Sequence, residues 1–394
     1  MMHGRTWLVV LLVGVAAIGV GIWRYSSRPK FTSVGQHLDY LVSDTVKSSK
    51  QIRNCTLYVA KGDGSFSWSG AAGLASEASE APMTTDTPIY LASITKLYTA
   101  TAIMKLYEQG KLSLDDPMAK YLPEDLIHGI DVYQGHDYSD EVTIAQLLAQ
   151  TSGLADYYTD KPDGGQDLFH IFMADPDRTW TVEELIARAR TDLKPHFAPN
   201  TNQAYYADTN YALLGKIIES VTGKPLQDVY GEFFFQPLGL THTWLVGRSK
   251  AQIASTTGPA DVFYNGVNIT KIRANGAYWA DGGIVSTPRE AVVFLKALSD
   301  GRIIRKDTLE LMHHWHPIQN VGPFQYGYGT MKFEVPSFIN RVVKVPAVWG
   351  GTGSVGSFLY YSPDQDLYMA GTIDQTEDRI TPVMLMIKVM QAVH

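Results

Sequence analysis

The chain has 394 residues, enough for two to three domains at about 100–200 residues per domain, so a large core and a cleft between lobes are both available. Hydrophobic residues make up 45% and charged residues 19% of the sequence, which argues against extended disorder. The 33 Lys and Arg against 40 Asp and Glu give a net charge of −7, so we expect no nucleic-acid partner. The single cysteine, Cys55, cannot form an internal disulfide or a multi-thiolate metal site.

The N-terminal region contains an uncharged apolar run at residues 7–23, with Arg5 before it and Arg24 after it. Its length suits a single crossing of a bilayer, so residues 1–30 are predicted to be a membrane anchor and a short linker. The alternative is a cleaved signal peptide with a small-residue site at Val15-Ala16-Ala17, which would release a secreted or periplasmic protein.

The next segments alternate between helical and extended patterns. Residues 34–42 have helical spacing of apolar side chains, and residues 56–60 and 65–71 read as two strands of a hairpin. A helix is predicted over residues 93–109, because its apolar residues share one face and Gly110 follows it.

Beyond this helix, strand patterns are scarce until late in the chain. Helices are predicted at residues 143–149, 181–190, 210–222 and 381–393, and strands are predicted at residues 358–361 and 367–373. Strands at both ends predict an α+β fold, with an antiparallel sheet flanked by helices, built from both termini, and an inserted mainly α-helical lobe. The folded domain is predicted to span residues 31–394, with residues 31–92 and 250–394 in the sheet lobe and residues 93–249 in the helical lobe.

The candidate nucleophile is Ser93, at the start of the helix predicted over residues 93–109. Lys96 lies three residues later on the same helical face, within reach of the serine hydroxyl. A serine needs a nearby base, and a lysine can serve as one if its pKa is lowered toward about 7–8. This motif alone is weak, since Ser27-Arg28-Pro29-Lys30 matches it too, but that copy carries a proline and adjoins the predicted anchor.

A series of further short motifs follows Ser93 in order. They are Lys111-Leu112-Ser113-Leu114-Asp115-Asp116-Pro117, Thr151-Ser152-Gly153-Leu154, Tyr206-Ala207-Asp208-Thr209-Asn210-Tyr211, Pro237-Leu238-Gly239-Leu240, Asp281-Gly282-Gly283 and Gly350-Gly351-Thr352-Gly353-Ser354. This succession resembles the serine β-lactamase and penicillin-binding protein superfamily, in the branch of class C β-lactamases, DD-carboxypeptidases and related esterases. The resemblance covers about residues 35–394.

The resemblance implies a role for each matching residue. Ser93 is the acylated nucleophile, Lys96 is its proton acceptor, and Tyr206 is an anionic phenol that shares the base role and protonates the leaving group. The Gly351-Thr352-Gly353 segment occupies the place of a Lys- or His-Thr-Gly motif on a strand at the edge of the cleft. There the backbone N–H of Ser354 would complete an oxyanion hole with that of Ser93.

Two residues depart from the pattern of the superfamily. Asp208 stands where an asparagine is usual, which weakens recognition of a substrate amide carbonyl. Gly351 stands where a lysine or histidine would bind a substrate carboxylate, so a cation is missing from the site. Trp349-Gly350-Gly351 also resembles the Trp-x-Gly of esterases with this fold, although that alignment displaces Thr352-Gly353 by two positions.

The sequence thus predicts a membrane-anchored serine hydrolase that works through an acyl-enzyme on Ser93, with its catalytic domain on the extracytoplasmic side. D-amino-acid peptides are the expected substrates. The alternatives are an esterase of small acyl esters and a non-catalytic penicillin-recognising or binding module. No cofactor or metal is implied. The cluster His313-His314-Trp315-His316 is interpreted as a solvated loop, because no carboxylate motif accompanies it.

Overall fold

The structure is a computed structural model, and it describes residues 31–199, 201–319, 324–337, 340 and 344–393. The predicted anchor at residues 7–23 lies outside the described residues. Within the described ranges, we find no helix with the length and apolar character needed to cross a membrane.

Sixteen strands are present in the described part of the chain. They are β1 (Asn54–Lys61), β2 (Ser67–Ser76), β3 (Ala81–Pro82), β4 (Ile89–Tyr90), β5 (Val132–Tyr133), β6 (His136–Asp137), β7 (Trp244–Leu245), β8 (Phe263–Tyr264), β9 (Val267–Asn268), β10 (Ile284–Ser286), β11 (His316–Pro317), β12 (Phe324–Tyr326), β13 (Met331–Phe333), β14 (Val348–Thr352), β15 (Phe358–Ser362) and β16 (Leu367–Thr372). Nine of them form one antiparallel sheet in the order β11-β12-β13-β14-β15-β16-β1-β2-β3. A smaller sheet has the order β4-β10-β7.

Twelve α-helices lie in the same described ranges. They are α1 (Val34–Lys47), α2 (Thr95–Glu108), α3 (Glu124–Ile127), α4 (Ile144–Ala149), α5 (Leu168–Ala174), α6 (Val182–Thr191), α7 (Asp208–Thr222), α8 (Leu226–Tyr230), α9 (Gln236–Leu238), α10 (Pro288–Ser299), α11 (Lys306–Met312) and α12 (Thr381–Ala392).

The large sheet joins the two ends of the folded domain, because β1 pairs antiparallel with β16. Its alternating side chains serve two cores. Leu57 and Val59 face one core, which also contains Leu38 of α1 and Val389 of α12. The opposite face packs against the helical part of the molecule through residues such as Leu359.

Helix α2 is the central helix of the larger core. Ten consecutive residues, Thr95 to Met104, are buried, so the helix is enclosed on all sides rather than on one stripe. Its second residue is Lys96, and burial of the helix therefore places an ammonium group in the protein interior.

The predicted fold class is confirmed, since the antiparallel sheet is built from both ends of the described chain and is flanked by helices. The start of the predicted helix at residue 93 differs in detail. A 3₁₀ turn, Ala92–Ile94, precedes α2, and Ser93 lies in that turn. Because residues three apart eclipse each other in a 3₁₀ turn, the spacing between Ser93 and Lys96 still brings their side chains together.

The interpretation of the histidine cluster as a solvated loop is wrong. His313 ends helix α11, and its ring stacks on Trp315 with 4.9 Å between ring centroids. His316 lies in β11 and its Nε2 is 2.7 Å from the carbonyl oxygen of Ala149. Aromatic packing and this hydrogen bond hold the segment against the body of the protein, and burial lowers the pKa of His313 to about 4.

Candidate active site

Ser93 lies where the chain turns sharply from β4 into α2. The preceding residue, Ala92, has a φ of 47°, a left-handed conformation that is uncommon for a residue with a Cβ. Ser93 lines a cavity of about 290 Å³, which we call the active-site cavity. The turn therefore presents the serine to a space large enough for a small substrate.

Lys96 is the central polar group beneath the serine. Its Nζ is 3.1 Å from Ser93 Oγ, 2.8 Å from the carbonyl oxygen of Asp281 and 2.5 Å from Asp208 Oδ1. Burial alone would lower the pKa of Lys96, but the charges of Asp208 and Asp281 outweigh it and raise that pKa. At rest Lys96 is therefore an ammonium ion paired with Asp208, not the neutral amine that a lone lysine base requires.

Tyr206 stands just before α7, on the other side of the lysine. Its ring centroid is 4.9 Å from Lys96 Nζ, and its phenol lies beside the Ser93 hydroxyl, which influences the pKa of Tyr206. Burial and the Asp208 carboxylate raise the pKa of Tyr206 well above its usual range. The resting phenol is thus neutral, in contrast to the anionic phenol expected from the resemblance, because a carboxylate stands beside it.

Asp208 is accompanied by two more buried aspartates. Its backbone N–H donates to Asp156 Oδ1 at 2.9 Å, and Asp281 Oδ1 accepts from the backbone N–H of Trp279 at 3.0 Å. Burial and the charge of Asp208 raise the pKa of Asp156 to about 7 and that of Asp281 to about 6. The carboxyl groups of Asp208 and Asp281 therefore act on the ammonium of Lys96, and Asp156 contacts the backbone of Asp208.

The sequence reasoning assigned no role to Asp156 or Asp281. Asp281 belongs to the quoted motif Asp281-Gly282-Gly283, but only the fold brings it to Lys96, 185 positions away in sequence. The one sequence signal for Asp156 was its position two residues after Leu154 in an apolar stretch. The structure shows that this aspartate is buried.

Strand β14 runs beside the nucleophile turn and ends with Gly351 and Thr352, and Gly353 follows it directly. A Cβ at Gly353 would come within 2.4 Å of the carbonyl oxygen of Leu91, so only glycine allows this close approach. Thr352 Oγ1 is 2.6 Å from the hydroxyl of Tyr360 on the neighbouring strand. Ser354 lines the active-site cavity together with Ser93, which suits the predicted oxyanion hole.

Gly351 faces the start of α2. A Cβ at this position would lie 3.6 Å from Ile94 Cα, an ordinary contact distance, so the backbone here tolerates a side chain. The glycine thus leaves the site without the cation that a lysine or histidine would supply, and no steric requirement explains it.

The rest of the active-site cavity is largely aromatic and was not predicted. The aromatic side chains of Tyr90, Tyr158, Phe169, Tyr264 and Tyr278 line it. Asp167 also lines it, but this carboxylate is already paired with His170 at 2.6 Å and with Lys161 at 3.2 Å. Arg379 lines the cavity from an exposed position.

No cluster of three or more His, Cys, Asp or Glu side chains suited to a metal ion occurs among the residues that the structure describes. A serine hydroxyl, the Lys96–Asp208 ion pair and a neutral phenol meet at one end of an aromatic cavity.

A family model described as Beta-lactamase matches residues 42–380. The chain belongs to the beta-lactamase family. Penicillin-binding proteins, esterases and a D-stereospecific amidohydrolase are among the proteins similar to this chain.

Three relatives illustrate the range. Penicillin-binding protein 4 of Amycolatopsis lactamdurans is 32% identical over 170 residues, covering 43% of this chain and 39% of that protein. Esterase EstB of Burkholderia gladioli is 30% identical over 226 residues, covering 56% of this chain and 54% of the esterase. A solved D-stereospecific amidohydrolase from Streptomyces sp. superimposes with a TM-score of 0.69 at 26% identity, over 90% of this chain and 98% of that structure. The matched region thus spans about half or less of the two curated relatives.

Proposed function

We propose that this protein hydrolyses amides and short peptides of D-amino acids through an acyl-enzyme on Ser93. The observation that carries the proposal is the contact of 3.1 Å between Lys96 Nζ and Ser93 Oγ at the wall of the active-site cavity. Similarity to a D-stereospecific amidohydrolase over most of both chains supports the choice of substrate.

The proposed reaction begins with proton movement around Lys96. The Lys96 ammonium passes a proton to Asp208 across their 2.5 Å contact. The neutral amine that results then accepts the proton of the Ser93 hydroxyl. Ser93 Oγ forms a bond to the substrate carbonyl carbon, and the oxyanion is held by the backbone N–H groups of Ser93 and Ser354.

The tetrahedral intermediate then loses its leaving group. The neutral phenol of Tyr206, which lies beside Ser93, donates a proton to the departing nitrogen, which leaves as an amine. Water attacks the acyl-enzyme in the second half of the reaction and passes a proton to the Tyr206 phenolate. Ser93 Oγ leaves with a proton from Lys96, which takes one from Asp208 in turn, so that the acid is released and the resting state is restored.

A second candidate activity is hydrolysis of small acyl esters. It is favoured by Gly351, which leaves no cation at the position where the superfamily has a lysine or histidine. Esters suffer less from this loss, because an alkoxide needs less protonation on departure than an amine. The similarity to an esterase supports the same candidate. A non-catalytic binding module is less well supported, because such a module has no need for the Ser93, Lys96 and Tyr206 arrangement.

The proposal is tested by labelling the full chain with a fluorophosphonate and with a fluorescent penicillin, followed by mass spectrometry of the labelled peptide. We expect the label on Ser93, and we expect Ser93→Ala to lose it. Ser27→Ala, the other match to the motif, serves as the control and keeps the label. A label on another serine overturns the assignment.

We further propose that residues 7–23 hold the enzyme at the membrane with its catalytic domain on the outer face. The apolar length of this segment and the extracytoplasmic position of cell-wall peptides support this topology. Protease added to intact spheroplasts should remove the domain. Full protection until lysis would place the domain inside.

A further inference from the structure

The carboxylate of Asp208 lies at the boundary between the proton-transfer pair and the active-site cavity. Its Oδ1 contacts Lys96, whereas its Oδ2 has no hydrogen-bond partner among the residues that the structure describes. The side chain is 11% exposed and lines the active-site cavity. One oxygen of the carboxylate is therefore left for a substrate.

The position of Asp208 relative to the nucleophile defines which part of a substrate can reach it. Ser93 Oγ and Asp208 Oδ1 both contact Lys96 Nζ, at 3.1 Å and 2.5 Å. The distance between these two oxygens is therefore no greater than the sum of the two contact distances. In an amino-acid amide, the amino nitrogen lies only about 2.5 Å from the carbonyl carbon. A substrate acylating Ser93 thus carries its amino group into the neighbourhood of Asp208.

The charge of the surroundings favours a cation there. Asp208 and Asp281 both act on Lys96, and Asp156 contacts the backbone of Asp208. The basic side chains that line the cavity, His170 and Arg379, are exposed, and His170 is already paired with Asp167. A carboxylate beside the scissile bond would meet like charge, and a neutral substituent would leave Asp208 Oδ2 without a partner.

Building on the proposed function, we infer that Asp208 binds the protonated amino group on the carbon next to the scissile carbonyl. The enzyme therefore selects amides and peptides with a free amino terminus over N-acylated and des-amino analogues. Replacement of the usual asparagine by aspartate is the specificity change that produces this preference, because an ammonium–carboxylate hydrogen bond is about twice as strong as its neutral counterpart.

The inference is tested first by binding, independently of turnover. In the Ser93→Ala protein, isothermal titration should show D-phenylalaninamide binding roughly tenfold or more tightly than 3-phenylpropanamide, which lacks only the amino group. Adding Asp208→Asn should reduce this ratio to about threefold or less. Asp167→Asn is the matched control, because it removes a carboxylate from the same cavity that Lys161 and His170 already neutralise, and the ratio should stay unchanged.

Turnover gives the second measurement, as kcat/KM ratios for D-phenylalanine 4-nitroanilide against its N-acetyl and des-amino analogues. Asp208→Asn should lower both ratios, whereas a residue that only tuned Lys96 would change all three substrates alike. Equal binding of the two amides, or a ratio unmoved by Asp208→Asn in a protein with a native circular dichroism spectrum, overturns the inference. Preferential binding of D-phenylalaninamide without hydrolysis of any substrate keeps the inference and overturns the proposed function.

Discussion

Lys96 and Asp208 form a buried ion pair of 2.5 Å in the position where the superfamily pattern places a lysine beside an asparagine. The extra carboxylate raises the pKa of Lys96 and leaves the resting nucleophile beside an ammonium ion. In the proposed reaction, proton acceptance from Ser93 is therefore coupled to proton transfer onto Asp208. This coupling distinguishes the site from one in which lysine alone is the base.

The first prediction concerns the pH dependence of Asp208→Asn. Removing the carboxylate removes the proton acceptor and the charge that raises the pKa of Lys96, so hydrolysis of a neutral ester at pH 7 should fall by roughly tenfold or more. The rate of the variant should then rise with pH as Lys96 loses its proton. In the wild type that transition lies above the ordinary lysine value of 10.5 and outside the usual assay range.

The measurement is kcat/KM for the neutral ester between pH 5 and pH 10, with activity at each pH checked for reversibility. The charge of Asp208 also raises the pKa values of Asp156 and Asp281, so transitions near about 7 and about 6 should move to lower pH in the variant. A profile identical in shape to that of the wild type would show that the ion pair takes no part in proton transfer.

The second prediction concerns Tyr206→Phe. Because the phenol is neutral and lies beside Ser93, it can donate a proton to a leaving group, which an amine needs more than an alkoxide does. We expect kcat for an amide to fall by about 100-fold or more and kcat for an ester of the same acid to fall by less. Equal losses for both substrates would point to a role in positioning Ser93.

The third prediction concerns the missing cation at Gly351. Gly351→His or Gly351→Lys should raise kcat/KM for carboxylate-bearing substrates relative to neutral esters, since a charge-assisted hydrogen bond contributes about 1.5–3 kcal/mol. The backbone accepts the change, as the new Cβ would meet Ile94 Cα at 3.6 Å.

Gly353→Ala, just beyond the end of the same strand, is the contrasting variant. Its Cβ would meet the carbonyl oxygen of Leu91 at 2.4 Å, so this change should destabilise the protein, measured as a lower thermal unfolding midpoint. If the substrate ratio is unmoved in a well-folded Gly351→His protein, another group already supplies the cation, and Arg379 at the cavity is the residue to replace next.

Sequence patterns predicted what depends on local spacing. The hairpin of β1 and β2 and the meeting of Ser93 with Lys96 follow from alternation and from a three-residue separation. The protonation states could not be predicted in this way, because they depend on burial and on Asp208 and Asp281, which reach Lys96 only through tertiary packing. The aromatic cavity wall was also missed, since Phe169 and Tyr278 come from segments more than 100 positions apart.

The fourth prediction concerns a buried acid away from the active site. Asp131 has no solvent exposure, and neither of its carboxylate oxygens has a hydrogen-bond partner among the described residues. Burial and the charges of Asp137 and Glu141 raise the pKa of Asp131 to about 7. The folded state therefore binds this proton more tightly than the unfolded state, where the carboxyl has its ordinary pKa of 3.8.

The stability that follows from the raised pKa of Asp131 is fully present below pH 3.8 and is lost as the pH rises toward about 7. Asp131→Asn cannot ionise, so its free energy of unfolding relative to the wild type should increase between pH 4 and pH 8, by on the order of 3 kcal/mol. Urea unfolding at several pH values measures this difference. His128 and His136, which pair with Asp137 and Glu141, are present in both proteins, so their contribution is common to the comparison. A difference that stays constant with pH would mean that Asp131 ionises as readily in the folded protein as in the unfolded chain.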